Sequence, residues 1–538
     1  MTYRYDPSVY REVFDKTLTF LGGFVRNTHR YPDRPALIDP DGGRSWTYAE
    51  LGRDVARLAG GLAARGVGPG DVVTVQLFNG PEWALLYLAT QWVGAVFSPV
   101  NFRFSAGETA HVLDDGEPAL LVYDASLVET TGAALELASH APRLVVVGGE
   151  DAAAEPFEAL YADAVVPYDG ATTWDESMRL YTSGTTGMPK GVSLPSIAEV
   201  LTAHDVMMHF PLGPEDKTLN MSPWFHRGGV SSGGPEPVFY AGAAAVAMRH
   251  FDAGVALDRV ANDGVTFLIG APTNLKMLAD EQEARPRDLR GLRGIVTMGA
   301  PLERAACLRY QEVLTPRIFN GYGTTEAFWN TFLRPVDLPD HAGSAGRACT
   351  DDDVRVVRVY DDRRAAPDDV VAKDGSETGE VIMRSVKSGY AYANLPSQQE
   401  QRFHDGWLYS GDLATWDDQE YVTILGRKDD MIISGGENVH PTQVEEVLGA
   451  HPLVDDVVVV GLPDERWGEL VVAYVVASKE VTVSELDKHC LGHPMLADFK
   501  RPRAYRFVDQ LPRTATGKKM HYVVRRQLLD EVDLLQRP

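Results

Sequence analysis

Tyr181-Thr182-Ser183-Gly184-Thr185-Thr186-Gly187-Met188-Pro189-Lys190-Gly191-Val192 places four aliphatic hydroxyls, three glycines and one lysine in a dozen residues, with no acid among them. Glycines let backbone N–H groups come close to an oxyanion, hydroxyls add donors, and Lys190 adds a mobile positive charge. The composition is that of a phosphate cradle. It is not the Walker arrangement, in which Lys directly follows the second Gly and Ser or Thr comes next. Here Met188 and Pro189 separate Gly187 from Lys190, and Gly191 follows. The bland alternative is a polar surface loop, so the neighbouring sequence has to decide.

Upstream, short apolar runs alternate with helical patterns: Ser45 to Thr47, Val72 to Val75, the apolar helix from Trp83 to Val93, Leu120 to Tyr123, and Leu144 to Val147. That alternation argues for parallel α/β units. Residues 149–178, rich in Ala, Asp and Glu, read as a surface excursion. Downstream, three apolar runs end in Gly-containing turns: Val265 to Ile269 before Gly270, Ile295 to Met298 before Gly299-Ala300-Pro301, and Arg317 to Phe319 before Asn320-Gly321-Tyr322-Gly323. In open α/β sheets ligands sit beyond the carboxyl ends of the strands, so these turns are expected to meet around one ligand. Thr324-Thr325-Glu326 continues the last one and offers a carboxylate for a phosphate-bound cation.

From about 340 short strands lie among turns, which suggests a small β-rich subdomain holding Tyr409-Ser410-Gly411-Asp412-Leu413. An Asp after a strand and a Gly can hold a ribose diol. Gly426-Arg427-Lys428-Asp429-Asp430 marks a boundary between residues 1–428 and a compact α/β unit at 429–538. Between Lys500 and Arg526 nine Lys or Arg face one acid, Asp509, which reads as a local positive pole.

The 538 residues carry a net charge of −25, which repels polyanions and disfavours nucleic acid as a partner. No apolar run is long enough to span a membrane, and the first thirty residues lack a signal-peptide core, so a cytoplasmic protein is expected. Cys307, Cys349 and Cys490 stand far apart without a CxxC, so neither a disulfide framework nor a cysteine-based metal site is expected.

Taken in order, TSGTTGMPKG (182–191), NGYGTTEA (320–327), YSGDL (409–413), GRKDDMIISGGENVHPTQVEEVL (426–448) and PRTATGK (512–518) resemble the adenylate-forming superfamily of acyl-CoA synthetases, adenylation domains and luciferases, over essentially the whole chain. GGENVHP together with YGTTEA is most similar to aryl- and medium-chain acyl-CoA ligases, such as those acting on 4-chlorobenzoate. The resemblance implies a large N-terminal α/β domain of stacked subdomains plus a small β-rich one, followed by a mobile α/β C-terminal domain. It implies ATP, Mg²⁺ and coenzyme A. Thr182, Ser183, Gly184, Thr185, Thr186, Gly187 and Lys190 would hold the β- and γ-phosphates. Tyr322 would stack on adenine beside Gly299, Ala300 and Pro301, within the Asn320, Gly321 and Gly323 stretch. Thr325 would reach the α-phosphate and Glu326 would hold the metal. Asp412 and Arg427 would grip the ribose, and Asp429 would be the hinge. Lys518 would serve the first half-reaction, while Gly435, Gly436 and Asn438 would border the thiol tunnel in the second.

Met221 to Gly229 matches the region that begins the acyl pocket, with His226 as its aromatic gate. No Asp stands there to hold an ammonium, which disfavours an α-amino acid. Arg227 replaces an apolar residue and either reads a polar substituent or faces solvent. Met298, Phe328 and Trp329 are bulky and imply a short pocket for an aromatic or small-to-medium acid. A carrier protein as acceptor, and a homodimer, stay open. From another class, Gly229-Val230-Ser231-Ser232-Gly233 fits the G-x-S-x-G pattern of serine hydrolases, though no apolar strand precedes it.

Overall fold

The computed structural model describes residues 7–538 apart from 169–170, 184–187, 361, 435–436, 465, 478–480, 494–495, 497 and 514–516. Backbone contacts divide the chain into two units: residues 1–342, 348–353 and 383–408, and residues 343–347, 354–382 and 409–538. Residues 409–428 group with the C-terminal segment in this division.

The first unit holds two sheets. In one, strands Val72–Gln76, Val96–Pro99, Leu120–Asp124 and Arg143–Val147 run parallel, and Val96–Pro99 continues parallel to Glu176–Ser183. These strands are buried apolar runs covered by helices, as parallel pairing demands. In the other, Lys217–Asn220, Phe267–Gly270, Gly294–Met298 and Ile318–Thr324 run parallel in that order. The expected alternation is therefore present. One common core joins the two: Trp83 meets Phe97 edge-on at 4.9 Å and Trp224 at 5.4 Å. Residues 149–178 are more than an excursion, because Phe157 and Leu160 are buried in that core.

Two local readings change. Asn320 to Gly323 is not a turn: the strand runs on to Thr324 and folds back as a hairpin with Phe328–Leu333. Gly321 is needed there, since a Cβ would fall 2.7 Å from Trp329 Nε1. Asp412 lies inside the strand Trp407–Trp416 rather than after one.

A buried ion cluster ties the first unit together. Lys387, 1% exposed, donates from Nζ to Asp205 Oδ2 (2.8 Å), Asp352 Oδ2 (2.7 Å) and the Trp329 carbonyl (2.6 Å). Asp205, His209 and Cys349 place one ligand atom each within 4.8 Å of one another, but the cation in this cluster is the Lys387 ammonium.

In the second unit, Val454–Asp464 and Gly468–Ala477 form a long antiparallel pair, with Ala504–Phe507 added in parallel. Helices Pro441–Gly449 and Val483–Gly492 pack on one apolar face through Val444, Leu448 and Leu486. Helix His521–Asp530 covers the other face with Val524 and Leu528. Among the described residues no helix is long and apolar enough to cross a membrane.

Candidate active site

The hydroxyl-rich stretch at 181–192 lies on two paired strands. Glu176–Ser183 pairs antiparallel with Pro189–Pro195, setting Thr182 opposite Lys190 and Tyr181 opposite Gly191. Gly184, Thr185, Thr186 and Gly187, at its tip, lie outside the described residues, as does the side chain of Ser183. A third strand, Ala391–Tyr392, pairs with the returning arm, Tyr392 opposite Val192. Tyr392 Oη donates to Glu326 Oε1 at 2.5 Å. The carboxylate in the turn between Ile318–Thr324 and Phe328–Leu333 is thereby fastened to the strand that pairs with the one carrying Lys190. Burial and the neighbouring Arg402 guanidinium pull the Lys190 ammonium below its ordinary value, and Glu326 works in the opposite direction. Glu326, Tyr392, Lys190 and Arg402 thus form one group of two cations, one carboxylate and one phenol. This donor set suits a polyphosphate with its metal ion.

Sequence reasoning missed Tyr392 and Arg402. Both come from a segment without a motif, and Tyr392 stands 66 residues from its partner. If Glu326 holds a metal ion, Tyr392→Phe is expected to raise the Mg²⁺ concentration needed for half-maximal activity about tenfold, because groups that orient a metal-binding carboxylate typically carry that much. A metal titration of the variant would check it, and an unchanged Mg²⁺ requirement would contradict it.

Where the resemblance would place adenine, Met298 pairs with Gly321 on adjacent strands. Gly299, at φ +85, leads Ala300 and Pro301 away from the strand end beside Tyr322.

Several of the residues expected to line the acyl pocket lie close together. Asn79 clamps Trp224 N and the Ser222 carbonyl (2.8 and 3.0 Å), which fixes the approach to His226. The His226 ring lies 4.2 Å from Phe225, and a Cβ on Gly228 would stand 3.3 Å from Met298 Cε. Phe328 stacks on Trp329 at 4.6 Å, and Trp329 closes on Phe332 and Phe210. Burial, helped by the Arg103 charge, pulls His226 down to about 4, so it is a neutral aromatic group at pH 7.

Arg227 does not face solvent. It is 3% exposed, and its guanidinium donates to Thr202 Oγ1 (2.9 Å), the Lys387 carbonyl (3.1 Å) and the Thr325 carbonyl (3.4 Å). Buried Glu199 and Glu236 stand in its field, both pushed upward by desolvation. Arg227 therefore links the helix Arg227–Ser231 to the turn that carries Thr325 and Glu326. Ser231 is fully buried in the helix Arg227–Ser231 and donates to Glu236 at 2.6 Å. A nucleophile elbow exposes its serine at a strand end, so the hydrolase alternative finds no support.

In the second unit Asp412 and Arg427 face each other across an antiparallel pair, Oδ1 to Nη1 at 2.7 Å. Gly435 and Gly436 lie outside the described residues, as do the side chains of Asp429 and Asn438. Lys518 is exposed, directly after Gly517 at φ +81. The positive pole expected between Lys500 and Arg526 is largely neutralised. Arg501 pairs with Asp487 and Asp498, Arg506 with Glu531, Arg513 with Asp456, and Arg525 with Glu469. Those acids all lie outside the window in which the sequence was counted.

With this geometry in hand, comparison with known proteins places the chain. Residues 24–391 match the AMP-binding enzyme family and residues 443–518 its C-terminal domain. The chain belongs to the AMP-binding enzyme family. It is similar to a feruloyl-CoA synthase of Amycolatopsis sp., 34% identical over 92% of this chain and 98% of the relative. It is likewise similar to the fatty acid–[acyl-carrier-protein] ligase ScoC of Streptomyces coeruleorubidus, 34% identical over 93% of each. Among solved structures it is similar to the o-succinylbenzoate coenzyme A synthetase MenE of Bacillus subtilis in complex with ATP and magnesium ion. That likeness has TM-score 0.81 and 28% identity, over 94% of this chain and 99% of the other. The fold class and the enzyme class expected from the sequence, an AMP-forming acyl-CoA synthetase, are borne out.

Proposed function

We propose that this enzyme activates an aromatic or small-to-medium carboxylic acid as its acyl-adenylate and passes the acyl group to coenzyme A, releasing AMP and pyrophosphate. The observation that carries the reading is the group made by Lys190, Arg402 and Glu326 with its Tyr392 strut. A carboxylate resists nucleophiles through resonance and its charge, and joining it to AMP supplies a good leaving group. Carboxylate and triphosphate are both anions, so the reaction needs positive groups aimed at the charge that develops.

Thr182, Ser183 and the 184–187 tip with Lys190 bind the β- and γ-phosphates. Tyr322 and residues 299–301 bind adenine, Thr325 reaches the α-phosphate, and Asp412 with Arg427 holds the ribose. Glu326 would hold Mg²⁺, which when bound neutralises phosphate charge. Lys518 lies between carboxylate and α-phosphate during adenylation. Gly435, Gly436 and Asn438 then border the path of the thiol, with Asp429 as the hinge between residues 1–428 and 429–538.

His226, Met298, Phe328 and Trp329 bound a short pocket whose inner end is filled by Phe210, Phe332 and Trp329. Arg227 acts here as a brace. Acids of benzoate or cinnamate type are therefore expected to be turned over far better than long-chain fatty acids. A substrate panel, with pyrophosphate release and product mass measured, tests this, and a preference for long chains would refute the pocket assignment. The same panel run with coenzyme A and with a phosphopantetheinyl carrier protein identifies the acceptor, since the ScoC relative is named for a carrier protein. A cytoplasmic location fits the reduced state of Cys307, Cys349 and Cys490, all buried as free thiols.

A further inference from the structure

The loop that carries Lys518 is fastened to the helix following residues 435–440 through one buried carboxylate. Glu445, on Pro441–Gly449, is 6% exposed. Its oxygens receive three donors: Val459 N at 2.8 Å, His521 Nε2 at 2.6 Å and Lys519 Nζ at 3.1 Å. Burial would raise this carboxyl, but the Lys519 and His521 charges outweigh it and hold the group at about 2. Burial alone would lower His521; Glu445, helped by Asp430, lifts it above its ordinary value.

The loop closes on itself as well. The Arg513 guanidinium reaches both the Gly517 carbonyl and Asp456. Lys519 Nζ stands 3.6 Å from the same Asp456, and Met520 N donates to the Pro512 carbonyl at 3.1 Å. Gly517, at φ +81, takes the left-handed conformation that a side chain would strain. Of the two adjacent lysines, Lys519 is turned into the domain and Lys518 is exposed.

We propose that Glu445, Lys519 and His521 are positioning residues. They lock the Lys518 loop to the helix Pro441–Gly449 and so fix where Lys518 is presented. The inference rests on the reading of Lys518 given above. A lysine on an untethered loop samples many placements, and a shift of about 1 Å can cost on the order of a hundredfold in rate. The tether removes that freedom without touching the substrates. Because the strand Glu437–Val439 leads directly into the helix Pro441–Gly449 and does not depend on the tether, only the first half-reaction should suffer.

Glu445→Gln and Lys519→Met, made in the full chain beside Lys518→Ala, test this. For both tether variants, kcat of acid-dependent pyrophosphate exchange is expected to fall about 10- to 100-fold with KM for ATP unchanged. Thioester formation from supplied acyl-AMP should stay near the wild-type rate, and Lys519→Arg, which keeps the cation, should restore exchange. Unchanged exchange in either variant would overturn the proposal, and so would an equal loss of both half-reactions with a raised KM. If Glu445→Gln does not fold, Lys519→Met gives the same reading alone. If Lys518→Ala itself leaves exchange intact, the assignment of Lys518 has failed first, whatever the tether variants do.

Discussion

Lys518→Ala is expected to abolish adenylation while sparing the transfer step. Acid-dependent pyrophosphate exchange should fall by about 10²–10³, the usual loss when one charge-stabilising group is removed from a transition state. Thioester formation from supplied acyl-AMP should continue near the wild-type rate, because once the adenylate exists this cation has no further task. The asymmetry matters more than the size. Equal loss of both steps would mean that Lys518 contributes to fold or general binding and not to one half-reaction.

Lys387→Met is expected to destabilise the first unit by about 3–5 kcal/mol, the cost of leaving a buried ionic partner unpaired. Lys387 is the ammonium between Asp205 and Asp352, and all three side chains are at most 3% exposed. Removing it leaves two buried carboxylates facing each other, and Asp352 Oδ1 has no hydrogen-bond partner among the described residues. Chemical denaturation followed by tryptophan fluorescence would report the change, since Trp83, Trp224 and Trp329 lie in the same core. Adding Asp352→Asn to Lys387→Met should recover part of the loss by removing one uncompensated charge. A loss below about 1 kcal/mol, the scale of an exposed pair, would show that the cluster is hydrated and not buried.

How much was legible depended on whether a signal was local. The hydroxyl-rich stretch at 181–192 announces itself because its glycines, hydroxyls and lysine are contiguous, whereas the pairing of its two arms as a hairpin was not read from the sequence. The Asn320 to Gly323 stretch misled in a specific way. Glycines there mark the close approach of Trp329 across a hairpin, a signal that looks the same in sequence as a turn.

Groups defined by distant partners were invisible. Tyr392 is an unremarked tyrosine until the third strand sets it against Glu326. Arg227 stood out as a charge in an apolar setting, but its partners Thr202, Thr325 and Lys387 are spread over the chain. The basic cluster near the C-terminus failed for the same reason: counting charge along a window ignores the acids that folding delivers to it. The resemblance points to Lys518, but that Lys519 is the one turned inward shows only when folding sets it against Glu445 and Asp456.

The central claim is that an inert acid becomes reactive by attachment to AMP. Isotope exchange tests it most directly: purified protein with ATP, magnesium and a broad set of organic acids, in the presence of labelled pyrophosphate and without any thiol. Label is expected to enter ATP only when a suitable acid is added, and to do so without coenzyme A. If no acid in the set drives label into ATP, or if exchange requires coenzyme A from the start, the account is wrong.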